Sequence, residues 1–72
     1  MDNTKFFAER LKKLRKELKL SQRELCGNLG INKAMVFYWE LGNRSPNLED
    51  LAKLCKFFSV SADYLIGLKD FE

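Results

Sequence analysis

Apolar residues recur along most of this chain at spacings of three and four, the period of a helix with one buried face. Phe7, Leu11, Leu14 and Leu18 form the first such stripe and predict a helix over residues 4–18. A second helix is signalled by its start. Ser21 can cap it, Glu24 three residues on can close a capping box, and Leu20 and Leu25 occupy the flanking staple positions. Gly30 follows Leu29, where a glycine can take the left-handed conformation that ends one helix and turns the chain into the next. Asn32 can cap a third helix, with Ile31 and Val36 as its staple pair, and Gly42 is placed to end it as Gly30 ends the second. Pro46 falls between helices, and Asn47 can cap a fourth whose buried stripe is Leu51, Leu54, Cys55 and Phe58. Val60, Ser61 and Leu65 repeat the staple-and-cap pattern for a short fifth helix. There is no strand alternation, internal repeat, low-complexity tract or long linker. The fold class expected is all-α, a compact five-helix arrangement forming one domain over residues 1–72.

The second and third helices are short, are joined at Gly30, and carry apolar positions that make them pack at a steep angle. That arrangement is a helix-turn-helix, whose second helix can lie in a DNA major groove. The segment resembles the lambda-repressor and Cro-like helix-turn-helix family. The resemblance is carried by Gln22, by Gly30 and Ile31 at the turn, by Val36, and by Trp39 and Glu40. It continues through Gly42, Asn43, Arg44, Ser45 and Pro46, through residues 48–54, and through residues 60–67. It thus covers the chain from about Phe6 onward. Two features depart from the family: Cys26 stands where alanine is usual, and Phe37 and Tyr38 stand where small or polar residues are common.

Charge sharpens this picture. The net charge is only +3, but residues 1–44 hold ten basic and five acidic residues, whereas residues 45–72 hold three and five. The half containing the helix-turn-helix is therefore +5 and the remainder −2, as a phosphate-facing surface would need. Lys12, Lys13, Lys16 and Lys19 also fit the solvated face of the first helix.

The resemblance implies roles for particular residues. Gln22 is where the family contacts DNA phosphate, at a helix N-terminus whose N–H groups and dipole favour an anion. Arg23, Asn43 and Arg44 are the other phosphate candidates. Lys33 resembles a base-contacting position, where it can donate to guanine, and Ala34 can offer a methyl to thymine. Asn32 can contact a base or simply cap. Phe37 and Tyr38, one turn beyond Lys33, can reach a thymine methyl or donate to a base; alternatively they form a protein-contact patch. The family pairs an arginine of the first helix with the glutamate ending the third, here Arg15 and Glu40, and uses the fourth–fifth connection and the fifth helix for dimerisation, here around Ser59, Ala62 and Tyr64. Trp39 falls on the face of Met35 and Val36 and is expected in the core.

Other chemistries find little support. With no histidine and no Cys-x-x-Cys there is no adequate zinc ligand set, the commonest general base is missing, and no glycine-rich phosphate loop occurs. Neither a cofactor nor a small-molecule site is expected, and the chain is not expected to be an enzyme. Cys26 and Cys55 fit buried free thiols. No segment approaches the ~18 consecutive apolar residues of a membrane span. The first residues, Met1 to Lys5, lack a basic stretch before an apolar run, so no signal peptide is expected and the location expected is cytoplasmic. The function expected is sequence-specific binding of double-stranded DNA by a bacterial or phage regulator, a repressor first, as a homodimer on a near-palindromic operator. The competing expectation is a protein-interaction adaptor of the same fold.

Overall fold

A computed structural model describes residues 3–71; the part of the signal-peptide expectation that rests on Met1 and Asp2 lies outside them. Five helices follow one another in the order expected: α1 (Asn3–Glu17), α2 (Gln22–Leu29), α3 (Met35–Leu41), α4 (Leu48–Phe58) and α5 (Ala62–Leu65).

Along α1, Phe7, Leu11 and Leu14 are buried, and Ala8 and Arg15 join them. Leu18 does not. It is 53% exposed, against the expectation from its spacing. The helix has ended by then, the next residue Lys19 takes a positive φ of 58°, and Leu20 packs against the core instead. A stripe extrapolated past the last helical turn no longer predicts a face.

The start of α2 is a complete capping box. The Ser21 hydroxyl accepts from the Glu24 N–H at 2.9 Å, and the Glu24 carboxylate accepts from the Ser21 N–H at 2.8 Å. Gly30 ends the helix at φ 67°, and the Ile31 N–H returns to the Cys26 carbonyl at 3.1 Å. The third helix begins later than the sequence suggests. The Asn32 side chain accepts from the Ala34 N–H at 2.9 Å, and its carbonyl accepts from Met35. Asn32 thus closes a turn over Lys33 and Ala34 and caps no regular helix; α3 starts at Met35.

Asn47 caps α4 by accepting from the Asp50 N–H at 2.7 Å. Of the four stripe residues, Leu54 is fully buried, while Leu51, Cys55 and Phe58 are half-buried with Phe57, whose ring meets Phe58 edge-on. Ser61 caps α5 through the Tyr64 N–H. Trp39 lies at the centre of the core, fully buried, with Phe7 edge-on at 6.0 Å between centroids. α1 packs on α3 and α5, α2 on α3 and α4, and α4 on α5. Cys26 is buried and Cys55 half-buried, both as free thiols, and burial pushes the Cys55 thiol above its ordinary value.

After α5 the chain folds back on α1. The Arg10 guanidinium donates to the carbonyls of Tyr64 and Lys69 at 2.5 and 2.6 Å and lies over the rings of Phe6 and Tyr64. Gly67 turns the chain at φ 87° directly beneath Phe6, and a Cβ there would sit 2.7 Å from that ring. No helix among the described residues is long and apolar enough to cross a membrane.

Candidate nucleic-acid interface

The capping box of α2 presents the residues at its N-terminus outward. Gln22 is half-buried and Arg23 exposed, beside backbone N–H groups that the first turn of a helix leaves without internal partners. The turn held by Asn32 places Lys33 and Ala34 alongside them. Gln22, Arg23, Lys33 and Ala34 line one open depression of about 320 Å³. Two residues expected to meet phosphate and two expected to meet bases therefore share a single surface at the junction of α2 and α3.

Within α3, Val36 and Trp39 are buried and Phe37 faces outward. Lys33 and Ala34 belong to the turn that leads into α3, and Phe37 and Tyr38 lie within the helix itself. Phe37 is 46% exposed and Tyr38 half-buried. Gly42 ends the helix at φ 81°, and the exposed Asn43 and Arg44 follow, with the Asn43 N–H reaching back to the Tyr38 carbonyl. Arg44 does not extend freely into solvent. Its guanidinium lies over the Tyr38 ring, 4.3 Å from the centroid, and that ring meets Phe37 edge-on at 5.5 Å.

Beneath this surface lies a shared anion. The Glu40 carboxylate accepts from Arg15 Nε at 2.7 Å and from a terminal Arg15 nitrogen at 3.0 Å, and Arg15 also donates to the Leu20 carbonyl at 2.7 Å. The glutamate side chain is only 4% exposed. The Glu40 hydrogen bonds raise the Arg15 pKa above its ordinary value against the opposing effect of burial, so the guanidinium stays charged. The same carboxylate accepts a third bond, from Gln22 Nε2 at 3.0 Å. Sequence reasoning placed Gln22 at the phosphate and did not foresee this contact. An amide nitrogen has two hydrogens, so the bond to Glu40 orients the amide and leaves one donor for another acceptor. No local signal could have revealed it, because the two residues are eighteen apart and belong to different helices.

The expected dimer surface needs one correction. Ser59 is exposed and Ala62 half-buried, but Tyr64 is 4% exposed. In a four-residue helix both Tyr64 and Leu65 turn inward, and the Tyr64 ring lies under the Arg10 guanidinium. Tyr64 is a core residue with no free face for a partner.

Residues 11–65 match the helix-turn-helix family. An uncharacterized HTH-type transcriptional regulator of Bacillus subtilis, YqaE, is 40% identical over 60 residues, which is 83% of this chain and 52% of that protein. Repressor protein C2 of Salmonella phage P22 is 36% identical over 64 residues, 89% of this chain and 30% of the repressor. The cryptic phage CTXphi transcriptional repressor RstR of Vibrio cholerae is 35% identical over 61 residues, 85% of this chain and 55% of the relative. The chain thus spans about half the length of YqaE and RstR and less than a third of C2. No solved structure matches it. With five helices in order, the glycine turn between α2 and α3, and a match over most of its length, the chain belongs to the lambda-repressor and Cro-like helix-turn-helix family.

Proposed function

We propose that this protein is a cytoplasmic, sequence-specific binder of double-stranded DNA that acts as a transcriptional regulator, in the first instance a repressor, and has no enzymatic activity. The observation that carries the reading is the common surface of Gln22, Arg23, Lys33 and Ala34. A helix N-terminus with a basic neighbour suits a phosphate, and a lysine with a methyl beside it suits base edges. In this reading α3 enters the major groove. Asn32, Lys33, Ala34, Phe37 and Tyr38 face the bases; Gln22, Arg23, Asn43 and Arg44 hold the backbone and set the register.

The working unit is a homodimer. The molecule is 28 Å in its longest dimension, whereas successive major grooves on one face of the duplex are about 34–36 Å apart. One copy covers one half-site, and a near-palindromic operator presents two. Ser59 and Ala62 remain candidates for the contact between copies. The names of RstR and C2 as repressors support the regulatory role.

A mobility-shift assay with random-sequence duplex DNA tests the reading. Binding at low salt that weakens steeply as salt rises is the expected result. No binding even at low salt overturns it in favour of a protein-interaction adaptor. Selection from a random duplex pool then tests the dimer, since a recovered site without two related halves would overturn it.

A further inference from the structure

We propose that Phe37, Tyr38 and Arg44 form a prearranged reader of a pyrimidine C5-methyl group: Phe37 touches the methyl, Tyr38 is a positioning residue that fixes the Phe37 ring, and Arg44 anchors the stack at the phosphate. The proposal rests on the DNA-binding reading above and names what one part of that surface recognises.

Packing gives no reason for the Phe37 ring to point outward. The inner face of α3 is already filled by Val36 and Trp39. An exposed phenyl ring has no hydrogen-bonding capacity, so whatever complements it is apolar. On the floor of a major groove the apolar feature is the C5-methyl of thymine. The surroundings suit a groove: the exposed Lys33 stands in the turn just before α3, and Arg44 lies over the Tyr38 ring.

The ring is also held. Neighbouring residues on a helix point about 100° apart, so Phe37 and Tyr38 meet only because both side chains lean together, 5.5 Å between centroids at 70°. Arg44 lies over the Tyr38 ring at 4.3 Å and joins the loop after α3 to the outer surface of that helix. Side chains ordered before binding lose less freedom on binding. The Tyr38 ring in this arrangement acts through its face and edge, and its hydroxyl reads nothing.

The test uses the full chain and duplexes recovered by random-pool selection. Each thymine is then replaced singly by deoxyuridine, which removes only the methyl. The wild type should lose about fourfold in affinity at one position per half-site, the worth of one buried methyl. Phe37→Ala should bind the thymine and uracil duplexes equally at that position. Tyr38→Phe keeps the ring and should retain the discrimination, while Tyr38→Ala should lose it. Indifference of the wild type at every thymine, or a loss that persists in Phe37→Ala, overturns the assignment of the reader. Loss of discrimination in Tyr38→Phe overturns the positioning role by showing that the hydroxyl acts. A pool from which no duplex is retained overturns the DNA-binding reading itself, a result distinct from retention without methyl sensitivity.

Discussion

Glu40 ties three helices together, because it receives hydrogen bonds from α1 through Arg15 and from the start of α2 through Gln22 while belonging to α3. The pair is nearly excluded from water, with the two side chains 10% and 4% exposed. Removing one partner strands the other charge in a place that cannot hydrate it. Arg15→Met should therefore destabilise the protein by about 3 kcal/mol or more. Glu40→Gln should cost less, because an amide oxygen still accepts from the guanidinium. Urea melts followed by the fluorescence of the single, fully buried Trp39 measure both. Midpoints equal to the wild type would show that the pair does not hold the helices in solution. Pairing of Arg15 with Glu40 was expected from family resemblance. The involvement of Gln22 was not, since a polar residue in a first helical turn gives no hint of a partner on another helix.

At the scale of the element, the helix ends other than the start of α3 follow their local signals. Ser21, Asn47 and Ser61 each accept from an N–H three residues on, and Gly30 and Gly42 each take a left-handed conformation. These devices act within one turn of chain, so a sequence window of a few residues contains both partners. The capping box also has a titratable member. The Ser21 backbone N–H and then its hydroxyl hold the Glu24 carboxyl below its ordinary range. A carboxylate depressed in the folded state contributes stability above its unfolded value, and that contribution fades as pH falls through the folded one. The Tm of the wild type relative to Glu24→Gln should thus stay level above about pH 5 and fall below about pH 4. Comparison with the glutamine variant isolates this group from the other acids. Parallel Tm profiles down to acid pH would mean that the box is open in solution.

For the whole molecule, the question is which residues position the protein on DNA and which read it. Arg44 follows α3 and is expected at the phosphate; Lys33 sits in the turn before α3 and is expected at a base edge. Arg44→Ala should weaken binding to operator and scrambled duplex alike and make the salt dependence shallower by about one phosphate contact per protomer. Lys33→Ala should cost about 1–3 kcal/mol per half-site on the operator and relax preference at one or two base pairs. Titrations of both variants on both duplexes across salt decide it. Equal losses for Lys33→Ala on the two duplexes would make Lys33 a phosphate ligand and move α3 within the groove.

The sequence by itself determined the number and order of helices, the caps at Ser21, Asn47 and Ser61, the turn at Gly30 and most of the buried set. All of these depend on neighbours within about four positions. It also placed the outward candidates Arg23, Lys33, Asn43 and Arg44 on the surface, where the structure has them exposed. Tertiary structure alone decided which side chains meet. Leu18 turns outward because the chain leaves the helix before it, and Tyr64 turns inward, where its ring lies under the Arg10 guanidinium. Arg10 holds the carbonyls of Tyr64 and Lys69, more than fifty residues away, and Gln22 holds Glu40 across the helix-turn-helix. Arg44 folds back over Tyr38 only because Gly42 turns the chain at the end of α3. Periodicity gives the direction of a side chain relative to its own helix, whereas the partner it meets depends on how separate helices are set against one another.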